Sequence, residues 1–171
     1  MLAGRAYSGS RLDEPGGLRA AAAFSALSLL PDLDLIGRPF GVAALSVWGH
    51  RGAAHSLAAA LLVGVAAALL CRRLKLPAKR TALLCALVVA SHGALDMLDT
   101  GSLGVAYAWP LTAQRFFWPL RFLAGPPPGE NWLSLAGARS VALGLVPFLP
   151  LVAWSLRPPV RRVSDPQSLP A

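Results

Sequence analysis

Three short stretches hold the side chains of this protein that could do chemistry: Pro31-Asp32-Leu33-Asp34, His50-Arg51-Gly52-Ala53-Ala54-His55-Ser56, and His92 to Thr100. All 3 histidines and half of the 8 carboxylates fall there, in otherwise apolar surroundings. On a helix, His92, Asp96 and Asp99 stand at i, i+4 and i+7 and share one stripe. An apolar helix carrying an imidazole and two carboxylates on one face must neutralise them with partners or a metal, because burying unpaired charge is prohibitive. The other two stretches can supply those partners. Imidazole with carboxylate suits zinc or a harder divalent ion such as manganese, and excludes a soft thiolate site.

His92 and Asp96 can chelate one ion from successive turns. His50 and His55 are too far apart in sequence to point inward together from one straight helix, so His55 is expected to open a helix with His50 in the turn before it. The carboxylates of Asp32 and Asp34 share a side only if that piece is extended, which a helix end breaking at Pro31 allows. A divalent ion held here would bring a water's pKa toward neutrality for hydrolysis. A carboxylate outside the coordination, with Asp34 as the candidate, would act as general base. Arg51 and Arg115 would grip an anionic group such as phosphate. Each residue also has a plainer reading: His50 as an interfacial histidine, Asp32 and Asp34 as a turn device, Asp99 as a helix end, Arg115 and Arg121 as lipid-headgroup contacts. His92 with Asp96 inside an apolar run is the hardest to read as structural.

The elements that must position these groups are membrane helices. The chain has 171 residues, 55% of them hydrophobic and only 14% charged, with a mean hydropathy of +0.54. A soluble domain carries about a quarter charged residues. The net charge of +8 does not point to nucleic acid, because the cations sit at the ends of apolar runs, as topology signals do. Cys71 and Cys85 lie inside apolar runs and read as packed free thiols.

Residues 4–17 read as a loop, and Leu2-Ala3-Gly4 as the tail of a helix that begins upstream. Ala20 to Leu30 is a half-length apolar run ending at Pro31. Ser56 to Cys71 is the clearest spanning candidate, and Thr81 to Leu98 is the second arm of a hairpin. Its loop holds Arg72, Arg73, Lys75, Lys79 and Arg80, and the positive-inside rule makes that loop cytoplasmic. Residues 101–137 interleave Trp109, Phe116, Phe117, Trp118, Phe122 and Trp132 with prolines and suit an interfacial loop. The last span is Ser140 to Leu156, with Arg157, Arg161 and Arg162 after it.

The expected architecture is therefore an all-α, polytopic helical membrane bundle of about four spanning or partly spanning helices, one domain over residues 1–157. Residues 158–171 are expected to form a disordered cytoplasmic tail. The ends bearing Asp32, Asp34, His50, His55, His92 and Asp96 then meet at the outer level of the bilayer.

The same stretches, followed by Gly101-x-Leu103-Gly104-Val105, Trp109-Pro110 and Arg115-Phe116-Phe117-x-Pro119, resemble the YdjM-like membrane-bound metal-dependent hydrolases over residues 20–125. The resemblance implies a multi-pass protein of the bacterial inner membrane, and a hydrolase whose metal ligands are Asp32, Asp34, His50, His55, His92 and Asp96. Members commonly carry a histidine close to the N-terminus; here no histidine precedes His50, and Asp99 is placed to compensate in part. The resulting expectation is hydrolysis of a membrane-accessible ester or phosphoester, such as that of an anionic phospholipid. The competing classes are a transporter relaying protons or cations through the same acids and histidines, and a scaffold stapled by a structural metal.

Overall fold

A computed structural model describes residues 7–8, 15–123, 134–150 and 153. Its α-helices are α1 (Pro15–Ser28), α2 (Leu57–Arg73), α3 (Ala78–Asp96) and α4 (Leu135–Leu145), with 3-10 segments at Pro31–Phe40, Ala53–His55 and Val146–Phe148. Among the described residues there is no sheet, only isolated bridges between Asp99 and Leu123 and between Val105 and Phe116.

The α2–α3 hairpin is the frame. Its facing surfaces carry small side chains, with Ala60, Gly64, Cys71, Cys85 and Val89 buried. A side chain at Gly64 would meet the Ala82 carbonyl and the Ala86 methyl, each at 3.0 Å. That close crossing suits helices in lipid, where association comes from van der Waals fit between small residues. The large residues face outward: Leu61, Leu62, Val65, Leu83 and Leu87 are all more than half exposed. Ser56 caps α2 by accepting from the Ala59 N–H at 3.1 Å, and the hairpin turns at Leu74–Pro77, beside the basic residues.

Helix α3 has 19 residues, about 28 Å at the standard rise, and among the described residues is the one helix long and apolar enough to cross a membrane unaided. α1 and the following 3-10 helix make a second candidate if they count as one span, bent by 43°. The expectation of about four spans is thus met by one or two candidates among the described residues. α2 has 17 residues, about 25 Å, between the Ser56 cap directly after His55 and the turn at Leu74. Pro15 opens α1, so residues 15–17, expected as loop, are helical. After α4, Pro147 falls in a 3-10 turn. Trp132, most of the expected span beyond residue 150 and the tail 158–171 lie outside the described residues. The described part of the long loop, residues 101–123, folds back on the end of α3: Trp118 N–H donates to the Met97 carbonyl at 3.1 Å, and Phe122 N–H to that of Leu98 at 3.1 Å.

Candidate metal centre

All the donor-bearing stretches converge at the hairpin end opposite the basic turn. His55 is the hub. Its side chain is fully buried, and its ring lies between those of His50 and His92, with centroids 5.3 and 5.1 Å away. On one edge, His55 Nε2 is 3.4 Å from Asp32 Oδ1 and 3.3 Å from Asp96 Oδ2. His92 Nε2 is 3.3 Å from the same Asp32 oxygen and 3.6 Å from the same Asp96 oxygen. These four atoms lie within 4.8 Å of one another.

The spacing fits a cation. Donors around a tetrahedral zinc with bonds of about 2.0–2.1 Å stand about 3.3 Å apart. The contacts are also not hydrogen bonds: His55 Nε2, His92 Nε2 and Asp96 Oδ2 are buried and lack a hydrogen-bond partner. Orphaned buried polar atoms are costly, and here they aim at a common centre. Charge points the same way. Asp32, Asp34, Asp96 and Asp99 stand against Arg51 and Arg115, and a divalent cation would cancel the remainder.

The second group, Asp34, His50 and His55, shares His55 through its other nitrogen. Asp34 Oδ2 is 3.1 Å from His55 Nδ1, and Asp34 Oδ1 is hydrogen-bonded to His50 Nδ1 at 2.8 Å. A proton on His55 Nδ1 facing Asp34 leaves the Nε2 lone pair for the first group, the carboxylate–histidine arrangement that orients metal ligands. Asp32 and Asp34 reach opposite edges of one ring, although their segment is a 3-10 helix and not extended as expected. At three residues per turn, positions i and i+2 diverge by about 120°, so the two carboxylates flank the ring.

Arg51 lies at φ 63°, a left-handed conformation that costs a non-glycine residue about 1–3 kcal/mol. It sends the Arg51 N–H to Asp34 Oδ2 at 3.1 Å and the side chain to the other carboxylates. Arg51 Nη2 is 2.7 Å from Asp99 Oδ2, and Nε is 3.3 Å from Asp96 Oδ2. Its charge is therefore engaged behind a donor residue. Arg115 is engaged elsewhere: its guanidinium donates to the carbonyls of His50, Gly104, Ala44 and Ser46 at 2.8–3.3 Å. That is a clamp between two loops, in place of the anion grip expected from sequence.

The sequence reveals two contributors only in part. Asp99, buried at 8% exposure and three residues beyond the end of α3 at Asp96, neutralises Arg51 instead of ending the helix. Gly93 admits the His55 turn: a Cβ there would fall 2.5 Å from the His55 carbonyl and 3.2 Å from the Tyr107 ring. A glycine inside a helix beside a histidine was the available signal, since it costs about 1 kcal/mol relative to alanine unless close approach requires it.

Burial opposes a charge on His55, but its contacts with Asp32, Asp34 and Asp96 outweigh it and push the ring's pKa up to about 10. A proton and a cation therefore compete for His55. Without metal, the protonated ring adds stability in full below its ordinary value of 6.5 and loses it as pH rises through about 10. The metal-free protein should melt lower at pH 10 than at pH 6, and metal affinity should rise with pH. Titration of metal at pH 7 should release about one proton, measured by calorimetry in buffers of different ionisation enthalpy.

Comparison with known proteins places the chain among inner membrane proteins. No solved structure matches the chain. It is 37% identical over 102 residues to the inner membrane protein YbcI of Escherichia coli K12, a match that spans 59% of each chain. The family model described as YdjM inner membrane protein matches residues 1–158. The chain, with its buried His/Asp cluster able to hold a metal ion, belongs to the YdjM family and resides in the inner membrane.

Proposed function

We propose that the protein is a membrane-embedded, metal-dependent hydrolase acting at the extracytoplasmic face on a membrane-accessible ester or phosphoester. The observation that carries this reading is the convergence of His55, His92, Asp32 and Asp96 at cation spacing, with the buried Nε2 atoms of His55 and His92 lacking a hydrogen-bond partner. These four residues would hold zinc or manganese. The bound ion supplies Lewis acidity and a water activated near neutral pH. Asp34 and His50 fix the His55 ring, and Asp34, with its oxygens engaged by His50, His55 and the Arg51 N–H, acts as a positioning residue more readily than as a free base. Arg51 positions Asp96. Asp32 is the most open of the four donors, with its side chain 33% exposed, so substrate would approach from its side.

The membrane arrangement belongs to the same proposal. The basic turn lies inside and the donor-bearing ends outside, with α1, α2, α3 and the α4 region as about four spanning or partly spanning helices of one domain, residues 1–157. A lipid-borne anionic substrate follows from that placement.

A second reading has its own observation. Structural zinc sites use four protein ligands and catalytic ones keep a position for water, and four protein donors meet here. A structural staple and a hydrolase separate on one preparation. The detergent-purified protein should carry about one equivalent of zinc or manganese, and H92A should carry almost none. Hydrolysis of a phosphomonoester and phosphodiester panel should disappear on chelation and return with metal. Metal without any such hydrolysis favours the staple. Metal below about a tenth of an equivalent, unchanged by H92A, removes both.

A further inference from the structure

A cavity of about 330 Å³ lies beside the donor cluster but outside it, bounded by Met97, Tyr107, Ala108, Phe116, Phe117 and Trp118. Met97 follows Asp96 and so points about 100° round the helix from it. The walls are fixed before anything binds. The Trp118 indole donates to the Ala94 carbonyl at 3.0 Å, and the Tyr107 hydroxyl donates to that of Ala90 at 3.1 Å. Phe116 exchanges main-chain hydrogen bonds with Val105 at 2.8 and 3.1 Å. A preformed, almost wholly apolar hollow of this size matches a small-molecule site, and its lining offers nothing to pair with a polar ligand.

Its rim does carry charge. The exposed Arg121 guanidinium stacks 5.0 Å from the centroid of Phe117, a wall of the cavity. Among the described residues, the carboxylates of the donor cluster pair with Arg51, and none pairs with Arg121. Leu120, next to it in the chain, is 72% exposed, which suits surface wetted by lipid at the end of a helix that crosses the bilayer. A cation at the mouth of an apolar hollow, in an inner-membrane protein, has the chemistry of an amphiphile with a negative head.

We propose that this cavity holds one acyl chain of an anionic phospholipid whose phosphate is bound by Arg121. The site is independent of the metal reading, and its test reads lipid retention alone, so the two can fail separately.

The full chain is placed in bilayers of phosphatidylglycerol or phosphatidylethanolamine, extracted into mild detergent, and its retained lipid measured by mass spectrometry. Phosphatidylglycerol should be retained in preference. R121A should lower that retention about fivefold, the worth of one interfacial cation, and A108L, which fills the hollow, should lower retention of both lipids. A melting temperature in detergent unchanged in both variants shows that they fold. Equal retention of the two lipids by the unaltered protein overturns the proposal. So does an equal loss in R139A, which removes an exposed arginine on α4 and would indicate general attraction. Loss of a dimer in A108L with no lipid retained would assign the hollow to a second copy of the chain.

Discussion

Replacing His55 by alanine is expected to abolish divalent-metal binding, with no detectable metal on the purified protein, and to lower its melting temperature more than replacement of any other donor. The ring is the one group shared by both donor sets, Nε2 facing Asp32 and Asp96 and Nδ1 facing Asp34. Removing it leaves three carboxylates around a hole lined by His92, with Arg51 beside Asp96 and His50 beside Asp34 too few to offset their charges. Breaking a buried ionic constellation from one side costs about 3–5 kcal/mol. D34N should behave differently. It keeps the four converging atoms and weakens only the orientation of His55, for which a loss of about 10–100-fold in metal affinity is usual. Metal content by plasma mass spectrometry and competition with a chelator separate the two. H55A retaining a full equivalent would place the cation elsewhere, and D34N losing metal as completely as H55A would make Asp34 a direct ligand.

The second large effect is expected at Arg115. R115A should destabilise the protein by about 3 kcal/mol, because the part-buried carbonyls of His50 and Gly104 lose a partner at about 1–3 kcal/mol each, whereas that of Ala44 is exposed and that of Ser46 keeps the Gly49 N–H. The four carbonyls belong to residues 44–50 and 104, so the loss also frees the loop that presents His50. R115K should recover only part of the stability, since an ammonium is a point donor and cannot span two pairs of carbonyls as a planar fork does. Thermal unfolding in detergent reads this directly. A melting temperature unchanged in R115A, together with weakened binding of an anionic substrate, would return Arg115 to the substrate grip read from the sequence.

The donors themselves were legible in the sequence because they break a pattern. Histidines and aspartates in runs of alanine and leucine have no solvent to face, so their presence demands a common partner. The hairpin was legible for the same reason: two apolar runs and a basic turn leave few arrangements. The direction of Arg51 and Arg115 was not legible. An arginine beside a candidate centre reads as an anion grip until the carbonyls and carboxylates it meets are known, and three of the four that Arg115 meets come from residues 65–71 positions away. Of the spanning or partly spanning helices expected from hydropathy, one or two reach a full crossing among the described residues, because α2, which covers the Ser56–Cys71 run from Leu57 on, has 17 residues and α1 ends at Ser28, before Pro31.

By itself, the sequence determined the environment and the ligand chemistry: apolar length, the placement of cations and the types of side chain fix solvent and metal preference, since these are properties of residues and their local order. Only the tertiary structure decided which edge of His55 faces which carboxylate, that Asp34 stands behind the ring and Asp32 in front of it, and that Gly93 lets the turn approach. Those outcomes depend on atoms brought together from three separated segments, where a difference of 1 Å in approach or a third of a turn in a 3-10 helix exchanges a ligand for its support.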